Sequence, residues 1–451
     1  MEKLNARKRN ILNSPKAGGC CDEDSIPYLK DLGIEIVDKK QPIQFTPNFS
    51  EHVHRWSAYI QGFSAEFVQS TINKYHKEYN CLRILDPFAG CGTVLIQSKF
   101  SGYPSFGTEL NPLLAFIANV KVNSWDVSPN ALIEMYKSIP KDISKAPPTF
   151  LKSKDQFRHG VLKNIEKIYG GLDFITVKNK TEQKVKDLLK VAFSSILIEC
   201  SNLKRTPCLG YSKSKQIIDN APWMLMEKNV RIIANDLNII QKHFADKIAV
   251  DSQVVCTNAM TYKHPNFFDL AITSPPYMNG LDYVMNYKIE MGWLEFISSQ
   301  KDAKKIKDEM VVCDNVSKGL IKNFSESNSR YTNDWLDDIV LHIKRNIDRR
   351  GNYRRIDMPF IVAKYFDDLY KVMKNVVNAL NPRGRFILVI GDSLIADVYV
   401  PTDLIMARIG RELGLEIEKI ERARNRRSGQ VRSYRLRETI LTLRKDKRTD
   451  G

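Results

Sequence analysis

The chain has 451 residues, 43% of them hydrophobic and 10% aromatic, with a formal net charge of +17. That length supports a globular protein of two or three domains, or one large α/β core carrying insertions. The excess of Lys and Arg fits a polyanionic partner whose phosphates release counterions on binding, and equally a solvated basic surface. No stretch approaches the roughly 18 consecutive apolar residues of a membrane span, and no apolar segment follows the basic N-terminus. A membrane partner is therefore not expected, and the expected location is cytoplasmic. The 8 cysteines contain no C-x-x-C pair, and Cys20 and Cys21 are adjacent, so they read as reduced thiols rather than as a disulfide framework or zinc site. His52-Val53-His54 offers two imidazoles without an accompanying ligand cluster, so no metal is expected.

In chain order, residues 1–45 are basic at first, carry an acidic patch at Asp22-Glu23-Asp24, and show little apolar periodicity, the pattern of a partly flexible arm. Residues 46–125 begin the core. Ser64 is placed to cap a helix containing Phe67, Ile72 and Tyr75. The short strand Cys81 to Leu85 runs into Asp86-Pro87-Phe88-Ala89-Gly90-Cys91-Gly92-Thr93 and then a helix from Val94 to about Phe100. Strand, glycine loop and helix form the order that lets backbone N–H groups and a helix N-terminus approach a cofactor closely. A second strand, Ser105 to Gly107, ends at Thr108-Glu109, where an acidic side chain suits two ribose hydroxyls; a helix follows from Leu113 to Val120.

Residues 126–247 are Lys-rich with helical periodicity and interrupt this alternation as a helical insertion. The core resumes over 248–298 with a strand from Ile248 to Cys256, Asn258 just beyond it, and the apolar run Phe267 to Ile272. That run stops at Thr273-Ser274-Pro275-Pro276-Tyr277, so it reads as a buried strand ending in a rigid turn that holds an aromatic at its lip. Tyr287 to Phe296 reads as helical. A polar insertion at 299–357 ends in Arg345, Arg349, Arg350, Arg354 and Arg355. The closing segment, 358–451, carries a helix from Phe360 to Leu380, a strand from Arg385 to Ile390, a helix from Thr402 to Leu413, and strands at Glu416 to Ile420 and Glu438 to Leu443. An Arg-rich hairpin lies between the last two and includes Arg424, Arg426, Arg427 and Arg432.

The loop Asp86 to Thr93 resembles the AdoMet-binding motif of class I methyltransferases. Ser274-Pro275-Pro276-Tyr277 resembles the catalytic motif of amino-group DNA methyltransferases, its serine form being that of their N4-cytosine members. The resemblance spans roughly 50–120, 248–297 and 358–445. It implies a Rossmann-like α/β core with a mostly parallel, doubly wound sheet, a C-terminal antiparallel hairpin and two insertions. It further implies S-adenosyl-L-methionine as cofactor, held by Asp86, Pro87, Phe88, Ala89, Gly90, Gly92 and Thr93, with Glu109 on the ribose. Gly62, Phe63 and Ser64 resemble the preceding segment that helps close the site. Asn258 stands where the family often carries an acidic residue near the adenine amino group.

For the target, the implied chemistry is direct transfer to an exocyclic amine. Ser274 and Pro275 accept the amine's hydrogens, Pro276 stiffens the turn, and Tyr277 stacks on a base rotated out of double-stranded DNA. Cytosine N4 ranks before adenine N6. The covalent C5-cytosine route needs a thiolate after this strand, and the only Pro-Cys pair, Pro207-Cys208, lies in the helical insertion. Two segments compete for sequence reading: the polar insertion together with the Arg-rich hairpin ranks before the larger, also basic helical insertion, with Arg349, Arg350, Arg354, Arg355, Arg424, Arg426, Arg427 and Arg432 as nucleic-acid contacts. Asp282 and Tyr283 either line the base pocket or pack the loop. A restriction endonuclease or defence-system subunit is a further expected partner. An RNA base methyltransferase of N2-guanine type and a non-catalytic AdoMet- and nucleic-acid-binding subunit remain alternatives. A dinucleotide oxidoreductase fits less well, because the third spaced glycine is missing.

Overall fold

The computed structural model describes residues 20–59, 62–79, 82–205, 209–264, 267–280, 282–313, 315–327, 330–351, 353–427 and 434–446. In chain order the described strands are β1 Ile36–Asp38, β2 Ile84–Asp86, β3 Ser105–Glu109, β4 Leu203–Arg205, β5 Leu209–Tyr211 and β6 Ser252–Cys256. They continue with β7 Phe268–Thr273, β8 Leu380–Gly391, β9 Ser393–Ile395, β10 Val398–Val400, β11 Leu415–Arg427 and β12 Arg435–Lys445. The chain forms two compact units. One comprises Gln44–Asn258 and Leu281–Glu309; the other comprises Met1–Ile43, Ala259–Gly280 and Met310–Gly451. The expected polar insertion is divided between them: helix Gln300–Glu309 belongs to the first, and helices Lys318–Ser325 and Asp334–Arg350 to the second.

In the first unit β2, β3 and β6 lie side by side and parallel, with Asp86 opposite Gly107 and Glu109 opposite Cys256. Helices Thr93–Phe100 and Pro112–Asn123 follow β2 and β3, giving the expected alternation. The second of these helices starts sharply. Asn111 accepts a hydrogen bond from the Leu113 N–H at 3.1 Å, and Pro112 follows at the first turn, where its missing N–H costs nothing. The core strand expected from Ile248 begins only at Ser252, because the helical turn Ala245–Lys247 is continued by a turn in which the Val250 N–H donates to the Lys247 carbonyl at 3.1 Å. The helix expected over 287–296 is confined to Lys288–Trp293, and a separate short helix, Tyr283–Asn286, precedes it.

The helical insertion is built from helices Pro129–Lys137, His159–Phe174, Lys180–Leu197 and Ala221–His243. It also holds the antiparallel pair β4–β5, whose three-residue strands are too short to show a period in sequence. The buried Asp236 carboxylate, on helix Ala221–His243, accepts hydrogen bonds from Trp56 Nε1 at 2.9 Å, the Val53 N–H at 3.1 Å and Arg55 Nε at 3.2 Å; it also meets His52 Nδ1 at 2.7 Å. His54 is enclosed elsewhere, with its Nε2 3.0 Å from Gln97 Nε2. The two histidines therefore serve separate structural contacts.

In the second unit β7 runs parallel to β8, β8 antiparallel to β12, β12 antiparallel to β11, and β11 parallel to β1. All six residues of β7 are buried, Asp269 and Thr273 included, and the Asp269 carboxylate is met by the Asn381 amide at 2.8 Å. The β8 strand follows helix Met358–Ala379, and Gly414, with φ +83°, ends the turn after helix Thr402–Glu412. Two expectations are corrected here. The segment read as an arm contains a helix, Cys21–Leu32, and strand β1, because its acidic patch has a counter-charge: Asp22 Oδ1 lies 2.7 Å from Arg422 Nη2. The Arg-rich hairpin is a continuation of the ladder, β11 and β12 pairing from Leu415 to Arg427 and from Arg435 to Lys445. Among the described residues no helix is long and apolar enough to cross a membrane.

His54 makes folding proton-linked. Burial, and then the Lys121 charge, push its imidazole from 6.5 down to about 3. Because the folded state binds this proton less well than the unfolded chain, the contribution of His54 is complete above about pH 6.5. It declines as pH falls towards 3, by up to about 1.4 kcal/mol per pH unit. In urea melts from pH 7.5 to 4.5, His54→Gln should flatten the acid-side slope relative to the parent; parallel slopes would contradict this.

Candidate cofactor loop and target-amine loop

The carboxyl ends of β2, β3 and β6 carry the predicted cofactor residues, the edge at which open parallel sheets bind ligands. Asp86 closes β2 and its carboxylate accepts the Phe88 N–H at 3.0 Å, which turns the chain. The Thr108 hydroxyl donates to the Pro87 carbonyl at 2.8 Å, and the Ala89 N–H donates to the Thr108 carbonyl at 3.0 Å, so β3 braces the loop along its length. Gly90 and Gly92 have φ of +52° and +90°, the left-handed region that glycine enters without strain. Gly92 also packs closely, since a Cβ there would stand 3.1 Å from the Ala118 Cβ. Thr93 then opens its helix.

Glu109 is fastened from two sides. Its Oε2 accepts the Gly90 N–H at 2.9 Å and its Oε1 accepts the Asn111 N–H at 2.8 Å. Burial pushes this carboxyl upward, while backbone hydrogen bonds from Asn111, Gly90 and Leu110 oppose the shift. Each oxygen keeps a further lone pair, which suits a diol. Asn258 lies two residues beyond β6, and its amide donates to the Glu309 carbonyl at 2.8 Å, tying helix Gln300–Glu309 to this edge. Ser64 and Phe63 have structural work: Ser64 accepts the Phe67 N–H at 3.1 Å as a helix cap, and the Phe63 carbonyl accepts from Asn48 at 3.1 Å. A side chain at Gly62 would meet the Tyr59 ring.

Tyr59 is the residue that the sequence reading missed. A Cβ on Gly90 would come within 2.7 Å of its hydroxyl oxygen, and one on Gly62 within 2.9 Å of its ring, so a single aromatic spans both glycines. Its ring stacks with those of Tyr283 and Tyr287, at centroid separations of 6.2 and 6.3 Å. The signal available was an aromatic three positions before Gly62, which alone is indistinguishable from core. Asp282 is a packing residue: it caps helix Tyr283–Asn286 through the Met285 N–H at 3.0 Å and pairs with Lys307.

The other loop belongs to the second unit, where Thr273 ends β7 and residues 274–277 follow without regular structure. Three contacts fix it. The Tyr365 hydroxyl donates to the Pro276 carbonyl at 2.9 Å, the Tyr277 hydroxyl donates to Glu438 Oε1 at 2.6 Å, and the Arg426 guanidinium lies 5.2 Å from the centre of the Tyr277 ring. Burial, then the Glu438 charge, hold the Tyr277 phenol well above its usual range, so it remains a proton donor.

The predicted nucleic-acid arginines divide. Arg424 pairs with Glu438, and Arg426 donates to the Asp392 carbonyl, so both serve the target-amine loop. Arg355 pairs with Asp357 at 2.6 Å and Arg350 with Asp397. Arg349, Arg354 and Arg427 are exposed. Arg432 lies outside the described residues, as does Pro207-Cys208.

No family model matches the chain. It is similar along most of its length to curated type II methyltransferases. M.BsoBI of Geobacillus stearothermophilus is 23% identical, covering 89% of this chain and 88% of that protein. M.AvaI of a Nostoc species is 25% identical, covering 84% and 82%, and M.MvaI of Kocuria varians is 21% identical, covering 85% and 88%. Among solved structures, a SAM-dependent methyltransferase from Methanosarcina mazei aligns at 8% identity over 83% of this chain and 97% of that chain. Its TM-score of 0.29 is too low to carry an argument. The two motifs and these relatives point the same way, to a resemblance with AdoMet-dependent DNA methyltransferases.

Gly90→Val should abolish AdoMet binding in calorimetry, because it adds a strained φ and a clash with Tyr59, whereas Tyr277→Ala should leave that affinity within a few-fold. Equal loss in the two variants would contradict this division of roles.

Proposed function

We propose that the chain methylates an exocyclic amine of a base rotated out of double-stranded DNA, cytosine N4 before adenine N6. The observation that carries the reading is the Ser274-Pro275-Pro276-Tyr277 loop at the end of a buried strand, with its hydroxyl and carbonyl groups held by Glu438 and Tyr365. AdoMet, when bound, supplies a methyl group already activated on a sulfonium. The glycine loop would receive its methionine part and Glu109 its ribose hydroxyls; Glu109 fits, since it keeps acceptor capacity, and at Gly90 the Tyr59 hydroxyl stands where a Cβ would go, so only glycine lets the loop pass there.

The residues of the target-amine loop have little covalent work. An arylamine nitrogen shares its lone pair with the ring, so acceptors at Ser274 Oγ and the Pro275 carbonyl must draw its hydrogens aside and turn the lone pair outward. The Tyr277 ring offers a stacking face for the rotated base, a contact worth about 1–3 kcal/mol per base. Serine in the first position supports cytosine by resemblance to the N4-cytosine members. The exposed Arg349, Arg354 and Arg427 are proposed phosphate contacts. The type II relatives support a restriction-modification setting, with a cognate endonuclease or defence-system subunit as partner.

With methyl-labelled AdoMet, purified protein should label duplex DNA and leave RNA unlabelled. Label in RNA alone would overturn the reading, and DNA binding without turnover that is unchanged by Ser274→Ala would instead favour a non-catalytic subunit.

A further inference from the structure

The β4–β5 ribbon of the helical insertion has no task in either candidate loop, yet it is firmly fastened. Two three-residue strands do not hold together alone, so the attachment is needed. The Asn202 N–H donates to the Gln156 carbonyl at 2.7 Å, and the Ser212 N–H to the Asn202 carbonyl at 2.7 Å. Lys215 Nζ donates to the carbonyls of Ile198 at 2.6 Å and Ser201 at 3.2 Å. Arg205 pairs with Glu290, which is 3% exposed, and its Nε donates to the Asn286 carbonyl at 3.3 Å. A buried ion pair of this kind fixes position more than it adds stability.

The same anchor sets where the ribbon stands. The Arg205 guanidinium lies 4.7 Å from the centre of the Tyr287 ring, Tyr287 stacks with Tyr59 at 6.3 Å, and Tyr59 adjoins Gly90. The base of the ribbon therefore reaches the glycine loop through Tyr287 and Tyr59. A substrate brought to the methyl donor comes close to the ribbon.

Residues 200–218 hold four cations, Lys204, Arg205, Lys213 and Lys215, and no Asp or Glu. Arg205 and Lys215 serve the anchor. Lys204 and Lys213 are exposed and enter no ion pair among the described residues. Lys204 stands opposite Gly210, which has no side chain to cover it, and Tyr211, 58% exposed, brings a phenol hydroxyl to the same ribbon. Cations held on a fixed base without counter-charges are complementary to a polyanion. We infer that the β4–β5 ribbon is a contact surface for the phosphate backbone of duplex DNA, with Lys204 and Lys213 neutralising phosphates and Tyr211 as an uncharged donor. The inference rests on duplex DNA as the proposed substrate. Phosphate contacts position a duplex without reading it, so this role is separate from sequence recognition.

Fluorescence anisotropy of a labelled duplex of mixed sequence, titrated with the full chain over a range of salt concentrations, tests this. Each lysine that neutralises a phosphate contributes about 0.9 to the slope of log affinity against log salt. Lys204→Ala combined with Lys213→Ala should therefore weaken binding and reduce the magnitude of that slope by about 1.8, to the same extent for duplexes of unrelated sequence. Lys204→Arg combined with Lys213→Arg should keep the parent slope, because the charge remains. Tyr211→Ala should weaken binding about 5-fold, the scale of one hydrogen bond, with the slope unchanged. All three side chains are exposed, so thermal midpoints should match the parent and the variants should fold. A parent slope in the double alanine variant, or an equal loss of slope in the double arginine variant, would overturn the inference. A parent protein with no affinity for duplex DNA would overturn the proposed substrate instead, so the two failures are separable.

Discussion

The register of the antiparallel ladder β8–β12–β11 is the constraint on which the target-amine loop depends. It sets Glu438 between Gly391 and Arg424, and a shift of one residue would send that carboxylate to the opposite face of the sheet. With the register as it stands, one strand reaches Tyr277 by a hydrogen bond and its neighbour reaches the same ring through Arg426. The irregularity between Arg422 and Arg424 belongs to this arrangement, since a bulge re-aims the side chains that follow it.

The other face of β12 carries a second buried charge system, one residue earlier. Arg437 is fully enclosed and donates to Asp403 at 2.8 Å, with Asp392 at 3.3 Å and the Ser25 hydroxyl at 3.0 Å. Two carboxylates share one guanidinium here. Burial, followed by the Asp403 charge, pushes Asp392 up to about 8, whereas Arg437 holds Asp403 low against the effect of burial. Asp392 also accepts from the Tyr399 hydroxyl at 2.6 Å. Through Ser25 this cluster also reaches the N-terminal helix, so that helix docks on a polar network as well as through the Tyr28–Trp335 contact. Removing one member would leave a buried charge unpaired, a change that typically costs about 3–5 kcal/mol.

The two candidate loops were legible because their chemistry is local. Gly90 and Gly92 stand where the backbone takes left-handed angles, Glu109 ends a short strand, and Pro275-Pro276 stops an apolar run; each is a feature of a few adjacent residues. What escaped depends on partners far away in the chain. Asp22 looked like part of a solvated acidic patch until Arg422, 400 positions on, supplied its counter-charge. Glu438 looked like an ordinary strand residue, since only the cross-strand register brings it to Tyr277. Arg424 and Arg426 were read by charge alone as nucleic-acid contacts, and charge does not reveal that one neutralises a buried glutamate while the other covers an aromatic ring. Tyr59 escaped for a related reason, because its proximity to Gly62 and Gly90 follows from loop packing rather than from a pattern.

The central claim is that this loop delivers a methyl group to an exocyclic amine. The measurement that reaches it most directly is nucleoside analysis by mass spectrometry of duplex DNA treated with the purified protein and isotopically labelled AdoMet. The account predicts label in N4-methylcytosine, with the cytosine ring carbon C5 unmodified. Label recovered as 5-methylcytosine would contradict it, because that product requires the covalent route for which this loop has no thiolate.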